Sequence, residues 1–280
     1  MWILYLILYI IFSVTFNQFY KISVKTSKNH GDFTVLLQLL AGIIVLLLCP
    51  LFKFTWPTNY TVYIFLGVAC VFYAIADRLN TTVRSGIEAS TFSILSQTTT
   101  VFLILAGLLF LKEAFVLKKI IGAALIVASN ILIFYKKGKT HFNKYVLMGI
   151  LANLSLATAF FIDINLSSNF NLPFYISLTL VVPALFLIIF EKLKFVNIKN
   201  EFINGNKKAI LITGSTWGLL TFCSLSAYQL GEVTTVAPLC ALTVITNVIV
   251  SYIFLKERSN LLKKIIAALL IIISVILIKL

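Results

Sequence analysis

Ten stretches of about twenty mainly apolar residues follow one another along this 280-residue chain, each long enough to cross ~30 Å of hydrocarbon as a helix. Inside a bilayer no water is present to satisfy peptide groups, so a spanning segment must be helical or belong to a closed barrel. Continuous apolar runs of this length, without alternation of period two, select the helix. The windows lie near 2–20, 34–52, 60–79, 87–111, 117–135, 145–166, 173–190, 208–228, 233–255 and 262–279. Apolar residues make up 60% of the chain and charged residues 11%, with mean hydropathy +1.04. That leaves too little polar surface to wet a soluble domain, and the short connections leave no room for an extramembrane one.

The chain also contains one passage twice. Residues 110–121 read FLKEAFVLKKII and residues 254–266 read FLKERSNLLKKII. Extended outward, the duplication pairs Glu88 with Glu232, Thr99 with Thr243 and Glu113 with Glu257, each 144 positions apart. After a one-residue insertion in the second copy, Ile131–Ile133 pairs with Ile276–Ile278. A repeat of five spans, being odd in number, must place its two copies upside down relative to each other in the bilayer, an arrangement used by secondary transporters. The expected fold is therefore an all-α polytopic membrane protein of ten transmembrane helices, arranged as two inverted five-helix repeats over 1–139 and 140–280. Tight links between the fourth and fifth windows, and between the ninth and tenth, predict antiparallel helix hairpins. Glu191 to Lys208, with its Asn and Gly residues, reads as a flexible loop.

The run Tyr228-Gln229-Leu230-Gly231-Glu232-Val233-Thr234-Thr235-Val236-Ala237-Pro238-Leu239, followed by Phe254-Leu255-Lys256-Glu257, resembles the second repeat of EamA-type proteins of the drug/metabolite transporter superfamily. The first half has the same layout from Ser85-Gly86-Ile87-Glu88 to Phe110-Leu111-Lys112-Glu113. The resemblance covers the whole chain. It implies a central cavity between the halves, alternating access and a small-molecule substrate: an amino acid or other metabolite, a sugar phosphate or a nucleotide sugar.

Net charge is +14, but the basic residues sit between apolar spans, where they act as topology signals and not as a nucleic-acid surface. Links after odd-numbered windows hold 18 of the 23, which places those links in the cytoplasm and both termini outside. The family resemblance implies the opposite, with both termini in the cytoplasm. The expected location is a bacterial inner (plasma) membrane, crossed many times, with the lipid bilayer as partner. Both halves are present in one chain, so a monomer suffices.

Intramembrane polar groups are the candidates for function, because each is costly unless paired or facing water. Ser93, Ser96, Gln97 and Thr100 follow i, i+3, i+4, i+7 along the fourth window, and Thr243, Thr246 and Asn247 begin a similar stripe in the ninth. These stripes face either a substrate or a neighbouring helix. Trp217, Thr213, Asn153 and Ser155 are candidates to complete a lining, with Asn17 and Gln18 weaker additions. Glu88 and Glu232 are either helix-start charges or a proton or substrate-amine site. Glu113 and Glu257 read as loop charges fixing the hairpins.

Asp163 either carries a coupling proton, if buried, or marks a helix end at the surface, which is the reading preferred from sequence. Arg78, beside Asp77 and near Arg84, is either half of a solvated pair or a contact for an anionic substrate. Pro183 and Pro238 each remove a helix hydrogen bond and free a carbonyl.

The four cysteines fall inside spans without metal spacing. His30 and His141 belong to no metal motif, and no P-loop, G-x-S-x-G or cofactor motif occurs. These residues point to a secondary transporter or exporter of a small polar metabolite, such as an amino acid, and not to an enzyme. A flippase of a lipid or lipid-linked sugar is the alternative, and a non-transporting membrane scaffold the third reading.

Overall fold

The structure is a computed structural model that describes residues 2–53, 55–110, 117–136, 139–140, 144–231, 236 and 239–279. The chain is an all-α, multi-pass integral membrane protein. Its helices are α1 (Trp2–Val24), α2 (His30–Leu46), α3 (Tyr60–Gly86), α4 (Ala89–Leu95), α5 (Thr98–Phe110), α6 (Leu117–Phe134), α7 (Lys144–Leu166), α8 (Leu172–Phe190), α9 (Phe195–Asn204), α10 (Lys207–Leu230), α11 (Leu242–Phe254) and α12 (Leu261–Lys279). Between α6 and α7 lies a short antiparallel ribbon, Tyr135–Lys136 against Lys139–Thr140.

Among the described residues, seven helical segments are long and apolar enough to cross a membrane, and Ile120–Phe134 and Leu242–Phe254 are shorter apolar helices. Three differences between the sequence windows and the helices bear on the architecture. The third window stops at 79, before Arg84, whereas α3 continues to Gly86 with Asp77 and Arg84 buried on it. The fourth window is not one helix, because the chain turns at Ser96–Gln97 between α4 and α5. The link expected to be a flexible loop contains α9. Its Ile198 is buried with Val35 and Leu187, and its Glu201 carboxylate accepts the backbone N–H groups of Lys28 (3.0 Å) and Asn29 (2.8 Å). An apolar anchor and a charge-assisted pair of bonds dock this helix on the α1–α2 turn.

Packing is reciprocal. α1 lies along α10 and α7 lies along α3; α2 packs on α10 and α8 on α3; α5 packs on α7 and α1 on α11. α2 runs against α8, and α6 against α12. Small residues permit the closest approaches: a Cβ added at Gly218 would lie 2.6 Å from the Ala41 carbonyl oxygen. The largest core cluster joins α2, α8 and α10 through Ala41, Val45, Tyr175, Ile176 and Phe222.

The α3–α4 turn is held from both sides. Lys21 Nζ donates to the carbonyls of Arg84 (2.7 Å), Ser85 (3.2 Å) and Ile87 (2.5 Å), groups left free where α3 ends. Glu257 does the opposite at the start of α4. Its carboxylate accepts the N–H of Ala89 (2.7 Å) and of Ser90 (3.1 Å), and also the Ser90 hydroxyl. Glu257 thus serves two helices: it caps α4 and also stands 3.9 Å from Lys264 on the second helix of its own hairpin, the ion pair expected of it. Glu113, its counterpart in the first half, lies outside the described residues.

Candidate functional site

A cavity of about 500 Å³ opens among α1, α3, α4, α5, α7, α10 and the start of α11. Its walls follow the duplication. Tyr9 and Asn153, Phe16 and Phe160, Tyr73 and Trp217, Asp77 and Thr221, Asn80 and Ser224, Arg84 and Tyr228, and Thr99 and Thr243 all line it, and the members of each pair stand 144 positions apart.

Two interrupted helices meet at this cavity. At Ser96–Gln97 the α-helical pattern gives way to i→i+3 bonds: Gln97 N–H to Ile94 O (3.1 Å), Thr99 to Ser96 (3.0 Å) and Thr100 to Gln97 (3.0 Å). Such a tightened turn leaves the Leu95 carbonyl without its usual partner. Asn153 supplies one from α7, with Nδ2 at 2.9 Å from Leu95 O and 2.7 Å from Thr98 Oγ1. The second interruption is at Ala241, just before α11, and Ala241 stands 144 positions after Gln97. There the Thr243 hydroxyl donates to the Cys240 carbonyl at 2.7 Å. On α8, Pro183 has no N–H to offer the carbonyl of Thr179, which also lines the cavity. Pro238 lies outside the described residues.

Of the residues singled out in sequence, Ser93, Gln97, Thr100, Asn153, Trp217 and Thr243 line the cavity together. Asn247 does not. It is buried one turn beyond Thr243, where Gln18 takes its side-chain oxygen at 3.3 Å and Ser251 Oγ at 2.9 Å. This end of the α11 stripe bonds helix to helix, and Gln18 belongs to that bond and not to the lining. Thr213 likewise bonds Ser23 across α1 and α10 (3.3 Å).

Glu88 also lies away from the cavity. Lys264 Nζ donates to it at 2.5 Å and Ser259 Oγ at 2.7 Å, on the edge where Glu257 stands 3.9 Å from the same ammonium. It stands at the N-cap of α4, as the helix-start reading expects, but makes no side-chain capping bond; the bonds to the first N–H groups of the helix come from Glu257. Glu232 lies outside the described residues. Arg78 points away from the cavity as well, with Nε 2.6 Å from Glu191 at the end of α8, so the anion contact expected of it is occupied by the protein's own carboxylate.

Asp163 is fully buried, not an end marker at the surface. Tyr73 and Tyr175 donate their hydroxyls to its two oxygens, each at 2.5 Å. Tyr73 lines the cavity, so one hydroxyl separates that space from the carboxylate.

The charged residues of the lining are Asp77 and Arg84, among the described residues. Gln38 Nε2 donates to Asp77 at 2.8 Å. Arg84 gives one N–H to Asn17 (2.6 Å) and lies against the rings of Phe92, Tyr20 and Phe16, with centroids 3.7, 4.6 and 4.9 Å from its Cζ. From sequence Arg84 was only a neighbour of Arg78. The signal that separates them is helical phase: Asp77, Arg84 and Tyr73 share a face of α3, at spacings of four and seven, and Arg78 is turned about 100° from it.

Among the described residues no three His, Cys, Asp or Glu side chains come together as a metal site. A sequence model of the EamA-like transporter family matches residues 1–135 and 143–280, divided at the ribbon between α6 and α7. No curated protein matches the chain. Among solved structures, one described as "Crystal structure of protein" is similar over 98% of this chain and 94% of its own, with TM-score 0.56 and 11% identity, a likeness of fold.

Proposed function

The chain belongs to the EamA-like transporter family, a family of transporters and not of enzymes, and from that premise we propose that it is a secondary transporter of a small polar metabolite. An amino acid or a related compound would pass through the central cavity by alternating access, in a bacterial plasma membrane. The observation that carries this reading is the cavity's construction from positions 144 apart. A space lined by both copies of a duplication is what two halves rocking about a shared site require.

Residues 1–139 and 140–280 are accordingly read as inverted repeats, with ten spans when α4–α5 counts as one broken span. The exchange of partners supports this. α1 on α10 answers α7 on α3, while α2 with α8 and α6 with α12 pair as elements beside a twofold axis would. Ser93, Gln97, Thr100, Asn153, Trp217 and Thr243 are the proposed substrate contacts. Asp163, reached through Tyr73, is the proposed proton-coupling carboxylate.

The test is counterflow of radiolabelled amino acids in proteoliposomes. Gln97→Ala and Thr243→Ala should each lower flux at equal amounts of folded protein. Equal activity in both variants would remove the polar stripes from the site, and an absence of flux for every polar metabolite offered would remove the transport reading.

A further inference from the structure

We infer that Arg84 is the anion-recognition residue of the cavity, taking a carboxylate or phosphate group of the ligand at the end of the space beneath the α3–α4 turn. The inference rests on the proposed transport site and deepens it. Arg84 is 9% exposed. A guanidinium carries five N–H donors and no acceptor, and among the described residues the hydrogen-bond partner of this one is Asn17, at 2.6 Å. No carboxylate of the described residues comes within 4.0 Å of it, whereas Arg78, six residues earlier on α3, has Glu191 at 2.6 Å. Removing a charge from water is costly unless it is paired and hydrogen-bonded.

The three aromatic rings supply part of what water gave up, through cation–π contact. They also hold the guanidinium plane while leaving donors unused toward the cavity. Asp77 does not complete the pair. It stands seven residues away, about 10 Å along the helix axis, and it is hydrogen-bonded to Gln38. A planar fork of unused N–H donors, fixed by stacking in a space the size of a small metabolite, matches the geometry of a carboxylate or phosphate.

The duplication sharpens the point. The counterpart of Arg84 is Tyr228, and that of Asp77 is Thr221; both line the same cavity. The basic group therefore stands on one half only. A ligand with a single anionic group has one place to put it, and its remaining length lies toward Trp217 and Tyr228.

The experiment compares matched probes by thermal stabilisation of the purified, detergent-solubilised protein: L-leucine against L-leucinamide, lactate against lactamide, and glucose 6-phosphate against glucose. In at least one pair the member that carries the carboxylate or phosphate should bind about tenfold or more tightly than the member that lacks it, the span expected for hydrogen bonds to a charged group. Which pair responds distinguishes carboxylate from phosphate. Arg84→Gln should abolish the preference while leaving the melting transition cooperative. Where that variant does not fold, Arg84→Lys, which keeps the charge but loses the fork, should reduce the preference several-fold.

Equal binding within every pair, a preference unchanged in the variants, or no binding by any anionic probe would overturn the inference. Flux in proteoliposomes separates the two claims. Counterflow of neutral compounds without any role for Arg84 leaves a transporter and removes the anion site. Arg84-dependent binding with no flux of any compound does the reverse.

Discussion

Replacing Glu257 by alanine should be among the most damaging single changes outside the cavity. Its carboxylate is 8% exposed and accepts three hydrogen bonds, from the backbone of Ala89 and Ser90 and from the Ser90 hydroxyl. The turn that presents it is itself specialised. Lys256 adopts a left-handed conformation (φ 56°), and the N–H groups of Leu255 and Glu257 both return to the Ser251 carbonyl, each at 3.1 Å, closing α11 in a Schellman-like way. A non-glycine residue in that region costs about 1 kcal/mol or more, a cost offset by aiming Glu257 inward.

A helix cap is worth about 0.5–2 kcal/mol, and a hydrogen bond to a charged group about 1.5–3. Alanine would leave two buried N–H donors without acceptors and take one of two carboxylates from Lys264, itself 2% exposed. The combined loss should be about 3–5 kcal/mol, in the range for breaking a buried charged pair. Glu257→Gln, which keeps one acceptor oxygen and the volume, should cost about half as much. Glu88→Ala is the contrast: it takes the nearer carboxylate from Lys264 (2.5 Å) but its side chain is 34% exposed and it leaves no backbone donor without an acceptor, so it should cost about 1–2 kcal/mol. Unfolding in mixed micelles, followed by helical circular dichroism, would rank the three. A Glu257→Ala variant within about 0.5 kcal/mol of the parent, or less damaged than Glu88→Ala, would refute the reasoning.

Asp163→Asn should fold, since Tyr73 and Tyr175 can each still bond the amide, and it should flatten the pH dependence of flux; an unchanged pH profile would assign Asp163 to packing alone. Gly218→Val should destabilise by about 1–3 kcal/mol through overpacking against Ala41, visible as reduced folded yield, and a neutral effect would show that α2 and α10 can separate at that point. Arg78→Ala should change stability by about 1 kcal/mol or less, because its pair with Glu191 is roughly a third exposed on each side; a large loss would mean that the pair clamps α3 to α8.

The apolar windows located most helices because each of those spans keeps its polar residues few. Windows 145–166 and 173–190 correspond to α7 and α8 almost residue for residue. The errors fall where polarity has two explanations. Asp77 and Arg78 ended the third window because an adjacent acid and base commonly mark the end of a span. On α3 the helix instead runs on to Gly86, with Asp77 and Arg84 buried beside an internal cavity, a distinction that hydropathy along one dimension cannot make. The break at Ser96–Gln97 carries no proline or glycine; the Thr98 hydroxyl bonds the freed Leu95 carbonyl locally (2.5 Å), but its second partner, Asn153, comes from a helix more than fifty residues away. Likewise, the spacing of Asn197, Asn200 and Asn204 suggests turns, but Ile198 and Glu201 between them find partners on α2 and in the α1–α2 turn, and a helix results.

The polar stripes illustrate the same limit on a finer scale. Thr243 and Asn247 are one helical turn apart and chemically similar, yet one lines the cavity while the other is taken by Gln18. Nothing within α11 separates them; the difference is that α1 crosses at the second position and carries a side chain long enough to reach it. The duplication, by contrast, is informative about the cavity because it fixes helical phase. Once Thr99 is matched to Thr243, the same offset carries Tyr73 to Trp217 and Arg84 to Tyr228, and all of them point into one space. Where the paired residues differ in charge, symmetry of the scaffold cannot account for the difference. A guanidinium in a membrane cavity is costly to hold, and the second half carries Tyr228 in its place; on the proposed reading, Arg84 and Asp77 are the charged positions at which the first half departs from its duplicate for the sake of what the cavity holds.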